Sequence, residues 1–325
     1  MDQIVKTKVI GIDVGLSVTT VAVVDFRGNI LGRDTFPTKD YPIISSYVEA
    51  LSVRILALAE ATGGYETLRS VGISAPSGNF MTGCIENSPN MPWKGVIPLA
   101  AMLRDSIGLA VALGNNAHIT AMGERVFGLA HGFENFITVT FDHGGVGSCF
   151  YSGGLPHLGF GGFAGELGHT CMEDGGRLCG CGRHGCLEEY ASERGVIKTA
   201  REMLESTDTP SMLRDAEELT LPFINDCGEQ GDPLAQKVWQ FTGTLLGIAL
   251  ANYASIVNPE AVVMVGELPR CKSLQAPMEA AFKANVFGNV RDKIKLMVSL
   301  IDDQERDVLG ASALAWKVKE YSLFK

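Results

Sequence analysis

The sequence predicts a two-lobed α/β protein with a mostly parallel or mixed sheet covered by helices, and three observations carry that prediction. Short apolar strand patterns alternate with helical spacing along the chain, an order that places helices on sheet faces. A strand, an Asp-and-glycine turn and a second strand occur near the N-terminus and again over 136–151. The 325 residues, 46% of them hydrophobic, suffice to bury a large core as one large domain or two lobes.

Taken in order, an apolar run from Val9 to Val14 leads into Asp13 and Gly15. Thr19 to Asp25 and Asn29 to Phe36 read as two further strands joined at Arg27-Gly28-Asn29, which completes a meander. Helical spacing covers Tyr41 to Ala61, and a strand at Ser70 to Ser74 ends in the turn run Ala75-Pro76-Ser77-Gly78. A helix over Leu99 to Ile107, a strand at Ala110 to Leu113 and a helix from Ala117 to Gly128 close the first half. The second half opens with strands at Phe136 to Phe141 and Ser148 to Tyr151. Helices follow near Glu193 to Glu205, Pro222 to Glu229 and Pro233 to Val257, then a strand at Ala261 to Val265, a helix from Leu274 to Val286 and a strand at Ile294 to Ser299. The last helix, Glu305 to Tyr321, is expected to pack back on the first lobe. The lobes are therefore expected at 1–116 with 305–325, and at 117–304, the break near 116 resting on the repeated pattern.

Composition excludes several classes. A formal charge of -10 and a pI near 5.1 weigh against a phosphate-backbone binder, which needs a basic face, so no direct nucleic-acid binding is expected. The N-terminus has no apolar h-region or small-residue cleavage site, and the chain reads as cytoplasmic. The most apolar helical stretch, from about Thr242 to Val257, contains Asn252 and Ser255 and falls short of the roughly 20 apolar residues that span a bilayer. It is expected as a buried core helix, with no membrane partner.

Of eight cysteines, Cys179, Cys181 and Cys186 share one glycine-rich loop and the other five are scattered, the pattern of a reduced compartment with one local metal site. Gly180, Gly182 and Gly185 free the backbone to turn tightly, so that Cys186 returns a third thiolate to the same point. Three sulfurs call for a fourth ligand. The alternative is a set of reduced buried cysteines without metal, although clustered thiols gain little from packing alone.

Seven separated motifs together resemble the ROK family (repressors, open reading frames, kinases) over nearly the whole chain. They are Gly11-Ile12-Asp13-Val14-Gly15, Gly72 to Gly78, Pro89-Asn90-Met91-Pro92-Trp93, Asn115 to Glu124, Ala164-Gly165-Glu166-Leu167-Gly168-His169, Cys179 to Glu188, and Asn258-Pro259-Glu260 before Gly266. The resemblance implies a two-lobed actin-like ATPase (ribonuclease H-like) fold with an inserted structural zinc loop, in which a hexose and ATP meet between the lobes of a subunit that forms a homodimer. It implies His169 as the fourth ligand, closing a Cys3His tetrahedron with Cys179, Cys181 and Cys186 around a structural Zn2+. For the sugar it implies Asn90, Asn115, Asn116, Glu166, His169 and Glu188, polar groups of the kind that recognise a polyol by paired donors and acceptors. Glu166 and His169 stand three apart, a spacing that lets them meet on one side of a turn, with zinc on one imidazole nitrogen and a hydroxyl on the other. The implied nucleotide positions are Asp13, Gly15, Ser17, Gly144 and Gly266.

The departures from the family pattern fall on one side of the chemistry. Family kinases read Asn-Asp-Ala-Asn where this chain reads Asn115-Asn116-Ala117-His118, and the Asp is the general base that takes the sugar hydroxyl proton. Asn116 stands at that catalytic position, and an amide has no useful basicity near neutral pH. The family's Gly-Thr-Lys after the first turn is Leu16-Ser17-Val18, which puts bulk where backbone amides approach a phosphate. Its Gly-Thr-Gly-Ile-Gly-Gly-Gly is Asp142-His143-Gly144-Gly145-Val146-Gly147-Ser148, with a negative charge beside the expected polyphosphate, and Val265-Gly266-Glu267 replaces a glycine run.

Three functions follow from these observations. A catalytically impaired sugar-binding sensor or regulator of carbohydrate metabolism accounts for the one-sided changes. An active ATP-dependent hexose or amino-sugar kinase, using ATP/Mg2+, requires His118 or Asp142 as a displaced base. A transcriptional repressor is expected to carry a helix-turn-helix domain before the first strand, where this sequence has about eight residues.

Overall fold

A computed structural model of the chain describes residues 5–142 and 145–318. Contacts divide them into two units: the described residues up to Gly132, Leu158–Phe163 and those from Leu300 on, and a second unit of Phe133–His157 and Ala164–Ser299.

The first unit starts with the expected meander, β1 (Lys8–Val14), β2 (Val18–Asp25) and β3 (Ile30–Pro37). Asp25 closes the β2–β3 turn by accepting from the Arg27 and Asn29 amides at 2.8 and 2.9 Å. In α1 (Ile44–Ala61) the residues Tyr47, Val48, Leu51, Ile55 and Ala59 recur on one face and join the sheet core. After β4 (Leu68–Ala75) comes a small antiparallel sheet of β5 (Gly78–Asn79), β6 (Cys84–Glu86) and β7 (Val96–Ile97). Sequence reading missed it because strands of two or three residues are too short to show alternation. Next are α2 (Leu99–Ile107), β8 (Ala110–Asn115) and α3 (Asn116–Phe127). The large sheet runs β3-β2-β1-β4-β8, with β1, β4 and β8 parallel.

The second unit repeats this plan. Its strands β9 (Phe136–Phe141), β10 (Gly147–Ser152) and β11 (Leu155–Pro156) form the antiparallel part. The helices α4 (Glu188–Ala191), α5 (Glu193–Ser206), α6 (Leu221–Glu229) and α7 (Pro233–Val257) precede β12 (Ala261–Gly266), α8 (Lys272–Asn285) and β13 (Lys295–Val298). The order β11-β10-β9-β12-β13, with β9, β12 and β13 parallel, matches the first sheet. Asp232 caps α7 by accepting from Leu234 and Ala235 amides at 3.0 and 2.8 Å, with Pro233 in its first turn. The apolar stretch 242–257 is the C-terminal part of α7 and buries Leu246, Leu250 and Ala254. Among the described residues no helix is long and apolar enough to cross a membrane.

The final helix, α9 (Arg306–Lys317), returns to the first unit, and the rest of the expected run to Tyr321 lies outside the described residues beyond Val318. Its backbone lies on a strip with no side chains: Gly11 and Gly72 are register partners of β1 and β4, and a Cβ on either would strike the carbonyl of Val308 or Ala311. Helix α3 packs on α9 as well, with Gly123 against Gly310. That packing carries α3 into the first unit, so the unit boundary follows Gly132 rather than the residue near 116 suggested by the repeat.

Candidate functional site

The turn after Gly165 sets out the first ligand. Leu167–His169 form a single 3-10 turn in which the His169 amide bonds to Glu166 O at 3.1 Å. The cysteine loop folds back on this turn through the bridges Cys171↔Cys186 and Leu178↔His184, and the Leu187 amide donates to Thr170 O at 2.9 Å. One ligand atom from each of His169, Cys179, Cys181 and Cys186 lies within 4.8 Å of the other three. Cys179 Sγ is 3.7 Å from His169 Nδ1, and Cys181 Sγ is 3.7 Å from Cys186 Sγ. A Zn–S bond of about 2.3 Å sets a tetrahedral edge of about 3.8 Å. The donor set therefore fits a closed tetrahedral Zn2+, and the 3.7 Å sulfur pair is far longer than a disulfide. Without an ion the thiols pull apart in acidity. Burial raises Cys179 and pushes Cys186 up to about 12, whereas the Arg183 amide and guanidinium hold Cys181 down at about 6. Of the five scattered cysteines, Cys84, Cys149, Cys227 and Cys271 are buried and Cys171 is exposed.

Arg177, which no sequence signal singled out, anchors this loop. Its guanidinium donates to Glu189 O at 2.6 Å, Gly195 O at 3.2 Å and Thr199 Oγ1 at 2.9 Å, pairs with Glu202, and lies 4.6 Å from the Tyr190 ring centroid. Arg177→Ala should lower stability by about 2–3 kcal/mol in urea unfolding, because carbonyls buried with the guanidinium lose a charged donor.

The second unit also holds two more of the predicted sugar groups, Glu166 and Glu188. Glu166 is exposed at the start of the turn and His169 is half-buried, with Nδ1 on the thiol side. Glu188, the first residue of α4, accepts from the Val146 amide at 3.0 Å and meets Arg194 at 3.4 Å. Carboxylate oxygens of Glu188 and Glu189 also lie within 4.8 Å of Cys179 Sγ. On the expected nucleotide side, Gly266 has φ +113 at the end of β12, and a Cβ there would meet Phe141 O at 2.7 Å and the Asp142 carboxylate at 3.3 Å. Gly144 lies outside the described residues.

In the first unit Asn90 is exposed in the loop between β6 and β7. Asn115 caps α3, its Oδ1 accepting from the Ala117 amide at 3.0 Å. Asn116 opens the helix and accepts from the Ser74 hydroxyl at 3.2 Å. His118 is buried, 7% exposed, on α3. Asp13 is half-buried at the end of β1, and the hairpin after it is closed by the Gly15 amide donating to Val18 O at 3.1 Å. Thr38 holds the same hairpin, its amide donating to Ser17 O at 2.9 Å and its hydroxyl to Gly15 O at 2.8 Å. Thr19 continues the buried network to Thr38 and Tyr47 at 2.9 and 2.8 Å. Burial, reinforced by Asp13, raises the Tyr47 phenol above its ordinary value.

Fold and cluster together define a class of two-unit α/β proteins in which a Cys3His cluster in the second unit adjoins the carboxylates of Glu188 and Glu189. The chain belongs to the ROK family, whose model matches residues 9–318, and its fold is the actin-like ATPase type with mixed sheets. It is 32% identical to a glucokinase of Streptomyces coelicolor over 94% of this chain and 96% of the relative. It is 27% identical to the xylose repressor of Bacillus subtilis over 94% of this chain and 76% of that protein. Among solved structures, a ROK family glucokinase from Streptomyces griseus in complex with glucose and AMPPNP superposes with a TM-score of 0.76 at 26% identity, covering 96% of this chain and 100% of that one. The chain is thus a ROK sugar kinase or regulator.

Proposed function

We propose that this chain is a ROK sugar-binding protein for a hexose or N-acetylhexosamine, impaired in phosphoryl transfer and acting as a sensor or regulator of carbohydrate metabolism. One observation carries the reading. The residue that opens α3, where family kinases place an aspartate base, is the amide Asn116, held by the Ser74 hydroxyl, while the Cys3His cluster and its neighbouring carboxylates are complete. Asn90, Asn115, Asn116, Glu166, His169 and Glu188 are the sugar ligands. Structural Zn2+ held by His169, Cys179, Cys181 and Cys186 fixes the loop and orients the imidazole. The subunit forms a homodimer, as the family resemblance implies, and is cytoplasmic, as its N-terminal sequence reads.

The likeness to a glucokinase along nearly its full length favours a second reading, an active kinase using ATP/Mg2+. His118 is a poor substitute base because it is buried in α3. A thermal-shift panel of hexoses and N-acetylhexosamines without nucleotide separates the readings when run beside an ADP-release assay. One sugar at about 100 times its dissociation constant should add about 2.7 kcal/mol, roughly 5 °C for a chain of this size, and Glu188→Ala should remove the shift. A flat response to every sugar would count against the sugar site, and rapid ADP release would establish the kinase.

A further inference from the structure

We propose that Ser148 is a positioning residue for the sugar-binding turn, and that segment 145–148, which the family pattern assigns to phosphate, backs the sugar site in this chain. The proposal rests on the sugar-binding reading above. Ser148 is 3% exposed at the start of β10, so its hydroxyl has protein partners rather than water. That hydroxyl donates to Gly165 O, and it accepts from the Leu167 amide at 3.3 Å, an amide shared with Gly165 O at 2.9 Å. The two contacts bracket Glu166, one on the residue before it and one on the residue after it.

The backbone packing points the same way. Gly165 has φ +98, and a Cβ there would lie 2.8 Å from Ser148 O. On Gly168 a Cβ would run into Val146 O. Both glycines of the Gly165-Glu166-Leu167-Gly168-His169 motif are thus required by the close approach of 146–148. Two residues before Ser148, the Val146 amide donates to Glu188 Oε2 at 3.0 Å. One short segment therefore touches the residues on both sides of Glu166 and the one before His169, and holds a third proposed ligand, Glu188.

The hydroxyl belongs to this chain rather than to the family pattern, which has glycine at position 148. Returning that glycine, a change that brings the loop closer to a phosphate binder, should therefore weaken the sugar site. A buried hydroxyl with a donor and an acceptor partner is replaced by nothing, and the turn that presents Glu166 loses its staple.

The test is calorimetric titration of the stabilising hexose into wild type, Ser148→Gly, Ser148→Ala and Ser148→Thr, with zinc content and sugar-free melting temperature recorded for each. Affinity should fall about tenfold in the glycine and alanine variants and stay within about threefold in the threonine variant, which keeps the hydroxyl. Hydrogen exchange provides a second readout, since sugar should protect the amides of 145–148 in wild type and much less in Ser148→Ala. Wild-type affinity in Ser148→Ala overturns the proposal, as does equal loss in all three variants or loss of zinc from the alanine variant, which would make the role one of packing alone. Absence of sugar binding by the wild type overturns the functional reading and this proposal with it, and is told apart because no variant is needed to see it.

Discussion

ATP-dependent phosphorylation of a hexose by this chain should run at least about a hundredfold below that of an intact family kinase, and Asn116→Asp alone should not restore it. The first part follows from the missing base, because general-base catalysis contributes about 10²- to 10⁴-fold. Geometry offers no replacement on α3, where His118 is buried. The Ser74 hydroxyl that now donates to Asn116 can donate equally to a carboxylate, so the aspartate variant should fold and seat its side chain in the same place. Its failure would then rest on the phosphate side. Phosphoryl transfer is chiefly positioning and charge stabilisation, and a restored base has nothing to act on unless the nucleotide is seated. In the hairpin after Asp13 the Gly15 amide is already spent on Val18 O, and Leu16 and Val18 stand where the family has glycine and lysine. In the other unit the Asp142 carboxylate lies beside Gly266. The comparison is turnover in the native protein, in Asn116→Asp, and in that variant with both loops returned to the family pattern. Robust native turnover would sink the impaired reading, and recovery in the single variant would show that only the base was lost.

Much of this was legible in the sequence because the signals were periodic or contiguous. The parallel strands, the long helix 233–257 and the stripe on α1 follow from apolar spacing, and the Cys179 to Cys186 run carries its ligands within one loop. The three-stranded sheet at 78–97 was invisible since its strands are shorter than a readable period. The grouping of helix α3 with the first unit was not legible because its partner, α9, lies nearly two hundred residues away in sequence. Arg177, Thr38 and Ser148 were missed as anchors for a related reason. A single polar residue shows its role only through the carbonyls and amides that the fold brings to it. Ser148 left one trace, the loss of a family glycine, which was read as damage to a phosphate loop and not as a bond to the sugar turn.

Removing the metal should have the largest effect on stability. Untagged protein should carry one zinc per chain, and stripping it with a strong chelator, or replacing Cys179 or Cys186 by Ser, should lower the melting temperature by more than about 10 °C. The reason is the composition of the loop itself. Between His169 and Cys186 the residues Cys171, Glu173, Asp174, Gly175, Leu178, Gly180, Cys181, Gly182, Arg183 and His184 are exposed. Met172 alone among its larger apolar residues packs on the core. Two isolated bridges, local backbone hydrogen bonds, the Arg183 contact to His169 O and the Arg177 anchor hold the rest, too little to offset the ordering of some fifteen residues at about 1–2 kcal/mol each. Zn2+ bound in a closed Cys3His site would supply the missing stabilisation by binding the folded chain alone. The two buried thiols are the decisive positions, because their serine variants leave a polar group in place of a ligand with no solvent to satisfy it. Sugar affinity should fall with the metal, since His169 loses the contact that fixes its ring. Because the ligands bind as thiolates, acidification should release the ion and reproduce the loss of melting temperature seen with the chelator. Metal-free protein whose melting temperature is indifferent to chelators would return the cluster to the reading of reduced cysteines, and would leave the loop to its bridges, its backbone hydrogen bonds and the Arg177 anchor.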